Sequence, residues 1–260
     1  MTRWMILLVL SGCVPPTSTK DTAPPDTTDT SETDTSDTGS GPPPDPLPAQ
    51  EGTISAENSA GRHGAWYLPE GYNTHPVPFL LGFHGTGGEG TQMVSAFKDL
   101  AVTWGFGIVA PDSRATPEGV YTWEVATTPG LPTEDLLFAQ TCLNEVLDID
   151  GVELDRAHVM AAGFSGGGSS APYLATWDDR FTRCAVLHGG VFPDGLGDHM
   201  VTCWFSTGTD DTVRSPDHVQ GQADSMQAAG FPVVYEEFPG GHELTTQEKE
   251  ALITWWLDGA

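Results

Sequence analysis

The sequence predicts an α/β fold, a mostly parallel sheet with helices packed on both faces. Three observations predict it. From Gly52 onward, short strand-like runs alternate with segments of helical spacing, the order that builds parallel strands joined by crossover helices. Val77 to Phe83 and Gly107 to Pro111 are apolar almost throughout, as strands covered on both faces require. The polar residues His84, Asp112, Ser165, His188 and Asp211 fall at or just after predicted strand ends, the edge at which open α/β sheets bind ligands.

The elements follow in order. Arg62 to Pro69 is a strand that ends on the turn Pro69-Glu70-Gly71-Tyr72. After the buried strand Val77 to Phe83 come a helix, Thr91 to Trp104, and the strand Gly107 to Pro111. Glu134 to Leu147 carries Leu136, Leu137, Leu143 and Leu147 at helical spacing. His158 to Ala162 is a strand and Ser169 to Thr176 a helix. Cys184 to Leu187 and Cys203 to Ser206 are two further strands. A helix from Asp217 to Ala229, a strand from Val233 to Phe238 and a closing helix from Thr246 to Leu257 complete the domain. Only about a dozen residues separate Leu187 from Val201, too few for a helical cap domain.

A different kind of sequence precedes this domain. Arg3 supplies a positive start, and Trp4 to Leu10 is an apolar run too short to span a bilayer. The run ends in Leu10-Ser11-Gly12-Cys13, which resembles the bacterial lipobox. That resemblance implies acylation of Cys13, export, and a membrane partner reached through a lipid anchor. Val14 after the cysteine resembles outer-membrane sorting, so an outer-membrane or cell-surface lipoprotein is expected. Val14 to Gln50 is dominated by Thr, Asp, Pro and Ser. It has too little apolar surface to offset its chain entropy and is expected to be a disordered spacer. The expected units are therefore 1–13, 14–50 and 51–260.

The chain of 260 residues carries a formal net charge of -26. About five net negative charges precede Glu51 and about twenty-one follow it. Such a surface repels phosphates, which excludes a nucleic-acid partner. Beyond Cys13 there are Cys142, Cys184 and Cys203. Export permits a disulfide, an odd count leaves one thiol over, and spacing does not decide the pairing. Asp148 to Asp155 is acidic but lacks the spacing of a calcium loop, so no metal site is expected.

Gly163-Phe164-Ser165-Gly166-Gly167 matches Gly-x-Ser-x-Gly, the nucleophile elbow, and stands between an apolar strand and a helix. Serine needs a base to remove its proton and an acid to orient that base. Thr207 to Val213 follows one late strand and supplies Asp210 and Asp211. Pro239-Gly240-Gly241-His242 follows the next and supplies the imidazole. The order Ser, acid, His is that of the α/β-hydrolases. Attack on an ester creates an oxyanion that preplaced N–H donors must meet. The N–H of Gly166 is one candidate. Thr86, in Phe83-His84-Gly85-Thr86-Gly87-Gly88, is the other. His84 is favoured as a brace for that loop and, with His188, Tyr121 and Trp123, is a candidate substrate contact. The two aromatics lie in the long loop Ser113 to Thr133.

These residues together resemble bacterial esterases of the polyhydroxybutyrate-depolymerase and feruloyl-esterase group, within the α/β-hydrolase superfamily. The segments that carry the resemblance are Tyr67 to Tyr72, Phe83-His84-Gly85, the elbow at Ser165, and Gly208 to His242. It implies the α/β-hydrolase fold without a cap domain and cleavage of carboxylic esters, polymeric or aryl esters among them. It also implies no metal and no organic cofactor. Counted from Gly208, the family's Gly-x-x-Asp pattern selects Asp211 over Asp210. Two other readings remain open: a serine peptidase of prolyl-oligopeptidase type, and a non-catalytic surface binding protein on the same fold. An intact Ser165, Asp211 and His242 set speaks against the second.

Overall fold

A computed structural model describes residues 44–55, 62–115, 119–124, 132–192 and 194–259. The export segment, Cys13 and the spacer up to residue 43 lie outside the described residues. Among those described, the strands are β1 (Gln50–Ile54), β2 (Gly64–Leu68), β3 (Val77–Phe83), β4 (Gly107–Pro111), β5 (Arg114–Ala115), β6 (Tyr121–Thr122), β7 (Leu154–Phe164), β8 (Arg183–Leu187), β9 (Thr202–Gly208) and β10 (Val233–Phe238). The helices are α1 (Gly90–Trp104), α2 (Glu134–Leu147), α3 (Ser170–Trp177), α4 (Pro216–Ala228) and α5 (Thr246–Asp258).

Eight strands form one sheet in the order β1-β2-β4-β3-β7-β8-β9-β10. From β4 to β10 every neighbouring pair is parallel, while β1 and β2 close one edge antiparallel. The chain runs outward from β3 to β4 and returns across to β7. The strand order therefore reverses between β3 and β7, the place where such sheets open a crevice. The loop after β3 and the elbow after β7 both project from that crevice.

Two cores cover the two faces. Leu136, Leu143 and Val146 of α2, Leu174 of α3 and Met226 of α4 pack on one face with Phe79, Leu81 and Phe205. Phe97 of α1 and Leu252, Ile253 and Trp256 of α5 pack on the other with Leu80, Ile108 and Met160. The central strands are buried on both sides, which is why their sequences lack alternation. Cys142, Cys184 and Cys203 are buried free thiols. Cys184 and Cys203 are register partners on β8 and β9, yet remain unbridged.

The folded domain starts earlier than residue 51. Gln50 belongs to β1, paired with Leu68 of β2. Just before it, the Leu47 N–H donates to Asn73 Oδ1 at 2.8 Å, and Asn73 Nδ2 donates to the Asp45 carbonyl at 2.8 Å. The Thr/Pro composition that marks the spacer runs on into residues that the domain binds through their backbone. Strand β1 itself gives no apolar signal, because it is an exposed edge strand with one buried side chain, Ile54.

Residues 188–201, between β8 and β9, contain no helix or strand among the described residues, as expected of a domain without a cap. No helix among the described residues is long and apolar enough to cross a membrane.

Candidate active site

Ser165 follows the last residue of β7 and takes φ 50, in the left-handed region. Only close packing sustains that conformation at a residue with a Cβ. Gly163 shows the packing: a Cβ there would lie 2.1 Å from the Gly167 carbonyl oxygen. The motif glycines let the strand turn directly into the helical segment beneath the serine.

His242 Nε2 lies 2.8 Å from Ser165 Oγ, and His242 Nδ1 lies 2.7 Å from Asp211 Oδ2. The three side chains come from the ends of β7, β9 and β10. Asp211 is buried, whereas Asp210 is exposed. The Asp211 Oδ1 atom accepts from the backbone N–H groups of Val213 and Arg214, each at 2.8 Å. Burial alone would raise the Asp211 pKa, but these bonds and those from His188 and His242 outweigh it. They hold the carboxyl well below the usual carboxylate range.

An ionised Asp211 can only accept hydrogen bonds, so His242 must carry its proton on Nδ1. Its Nε2 is then free to accept the Ser165 hydroxyl proton. That is the tautomer a general base requires.

Gly166 sits against the loop after β3. A Cβ on Gly166 would lie 3.1 Å from the Thr86 nitrogen, so the two backbones meet beside the serine. His84 braces this loop. Its Nδ1 donates to the Gly85 carbonyl at 2.7 Å, and its Nε2 accepts from the Ser113 N–H at 3.0 Å. Burial lowers its pKa, which suits a neutral ring with one donor and one acceptor.

Across 68 to 82% of this chain, solved structures show the same architecture. A Bacillus cereus carboxylesterase is 20% identical with a TM-score of 0.54, covering 82% of this chain and 95% of that one. A Mesorhizobium loti carboxylesterase is 20% identical with a TM-score of 0.57, covering 75% and 95%. A Staphylococcus aureus S-formylglutathione hydrolase is 14% identical with a TM-score of 0.59, covering 80% and 98%. The fold is that of the α/β-hydrolases. No family model and no curated protein matches the chain.

In this α/β-hydrolase fold, two residues expected at the substrate lie in the interior. Trp123 is 5% exposed. Its Nε1 donates to the His84 carbonyl at 2.7 Å, and its ring meets Phe83 edge-on at 4.9 Å. It supports the loop bearing Thr86 from behind. His188 is 1% exposed, and its Nδ1 lies 2.8 Å from Asp211 Oδ2. Tyr121 lies in β6, and its side chain is outside the described residues.

Sequence reasoning missed Glu248. This carboxylate, 1% exposed, lies 3.2 Å from His188 Nε2, and it accepts from Ser206 Oγ at 2.6 Å. The nearest sequence signal was misleading, because Thr245-x-x-Glu248 has the form of a helix capping box. Only the helix-side half of that motif forms, with Thr245 Oγ1 accepting from the Glu248 N–H at 3.2 Å.

His188, Asp211 and His242 offer three ligand atoms within 4.8 Å of one another. Both Nδ1 atoms stand at hydrogen-bond distance from the same Asp211 oxygen, at 2.8 and 2.7 Å. Both contacts have the length of hydrogen bonds that share protons. Beside the elbow lies a groove of 460 Å³ lined by Gly190, Val191, Phe192, Arg214, His218 and Gln222. It reaches the site through Gly190, where a Cβ would stand 2.9 Å from the Ser165 carbonyl oxygen.

Proposed function

We propose that the protein is an exported, lipid-anchored serine esterase that hydrolyses carboxylic esters through an acyl-enzyme on Ser165. The observation that carries this reading is the 2.8 Å approach of His242 Nε2 to Ser165 Oγ, with Asp211 behind the imidazole at 2.7 Å. His242 takes the serine proton as Oγ attacks the ester carbonyl, and the oxyanion meets the N–H groups of Thr86 and Gly166. The carbon–oxygen bond to the alcohol then breaks, and His242 returns its proton to the leaving alkoxide. Water repeats the sequence on the acyl-enzyme and releases the acid.

The carboxylesterases among the structural neighbours support ester chemistry for this chain. The capless rim and the adjoining groove support bulky esters, polymeric or aryl, in keeping with the depolymerase and feruloyl-esterase resemblance. The lipobox at Cys13 supports attachment to an outer membrane or cell surface.

A panel of p-nitrophenyl esters beside peptide p-nitroanilides tests the reaction class. Esters are expected to turn over, with kcat lowered by about 10⁶-fold in Ser165→Ala. Cleavage confined to anilides would replace the esterase reading with a peptidase one.

A further inference from the structure

His188 shares the triad's acid. Its Nδ1 lies 2.8 Å from Asp211 Oδ2, the oxygen that also holds His242. Its Nε2 lies 3.2 Å from Glu248 Oε2. The residue reaches this position at a backbone cost. Ser165 and His188 are the two non-glycine residues with positive φ among those described, at 50 and 58. They stand at the ends of the adjacent parallel strands β7 and β8. A left-handed conformation at a residue with a Cβ persists where the surrounding structure imposes it, and it concentrates at functional sites.

Counting protons narrows the chemistry of the cluster. Asp211 is ionised and accepts only, so His188 Nδ1 carries a proton. The contact between His188 Nε2 and Glu248 Oε2 needs one more. With that proton on the ring, His188 is an imidazolium between two carboxylates. The titratable groups that meet it are Asp211 from the β9–α4 loop, Glu248 from α5 and His242 from the β10–α5 loop. The His242 ring centre is 5.4 Å away, and the Phe164 ring from β7 stands edge-on at 5.4 Å. Burial would lower the His188 pKa, but the bonds and charges of Glu248 and Asp211 outweigh it and raise it.

We propose that His188 is a positioning residue of the triad, an imidazolium clamped between Asp211 and Glu248 that aims the Asp211 carboxylate and sets how readily His242 takes a proton. The proposal rests on the serine-esterase reading of the site. A positive charge on His188 disfavours a second one on His242. Glu248 serves by holding that charge in the interior, and Ser206 fixes Glu248.

In His188→Gln the amide can still donate to Asp211, but the charge is gone. Protonation of His242 becomes easier, and its titration midpoint rises by about one unit, as expected when a like charge at this range is removed. His188→Gln also leaves Glu248 without its partner in the interior. The double variant H188Q/E248Q avoids that burden and is expected to shift in the same direction.

Two measurements on the full chain read the shift. One is the NMR titration of the His242 ring in histidine-labelled protein carrying Ser165→Ala. The other is the pH dependence of fluorophosphonate labelling with Ser165 intact, whose acid limb should move upward with the midpoint. A fold-supporting role alone would lower the yield or rate and leave both midpoints in place. Labelling of the parent with unmoved midpoints in whichever variants fold would overturn the proposal and leave the esterase reading standing. A raised His242 midpoint without any labelling of the parent would do the reverse.

Discussion

Asp211 is saturated with donors: two backbone N–H groups on Oδ1 and two imidazoles on Oδ2. Such a carboxylate has one orientation, and His242 inherits it. The other half of the site is set by backbone proximity between Gly166 and Thr86. A methyl group at position 166 would stand 2.4 Å from Thr86 Oγ1 and 3.1 Å from the Thr86 nitrogen, so in Gly166→Ala the hydroxyl must turn away and the loop backbone must give. Misplacement of a preorganised donor lowers the rate, by up to about 100-fold when it reaches about 1 Å. Stopped-flow acylation by a p-nitrophenyl ester should show that loss, with Ser165 still labelled, though slowly. Acylation at the parent rate would remove Thr86 from the proposed oxyanion site. At this scale the meeting of Ser165, Asp211 and His242 was legible, since each sits on a short turn with its own signature. The pairing of His188 with Glu248 was not, because 60 residues separate them and only the folded chain brings them together. Trp123 misled for a related reason: an aromatic in a long loop looks the same in sequence whether it faces solvent or packs behind His84.

The helices and strands were mostly legible from apolar runs, and the exceptions lie at the edges. Strand β1, Gln-Glu-Gly-Thr-Ile, is short and exposed, so pairing with β2 rather than side-chain pattern makes it a strand. Strand β7 runs from Leu154 to Phe164, longer at both ends than its apolar centre suggested. Helix α5 has a second task, since its first turn carries Glu248 to the site. Its N-cap is Thr245, whose hydroxyl accepts from the Glu248 N–H at 3.2 Å. Thr245→Ala is expected to lower stability by about 1 kcal/mol in urea unfolding. An unchanged midpoint of unfolding would mean that packing of Leu252, Ile253 and Trp256 alone fixes the start of the helix.

The molecule as a whole combines a closely packed two-faced sheet with a surface of large negative charge. The fold class was legible because helices on both faces force the central strands to be apolar throughout. The boundary of the domain was not, because residues 45–50 join it through backbone hydrogen bonds that composition does not report. The fold alone does not specify chemistry. The proposed chemistry therefore requires an activated serine at the reversal point of the sheet. Reaction of the protein with a fluorophosphonate, followed by peptide mass spectrometry, tests that most directly. One adduct per chain on Ser165, suppressed when Ser165 is alanine or when His242 is, is the expected result. An unmodified Ser165 after prolonged exposure at pH 8, in protein that remains folded, would contradict it.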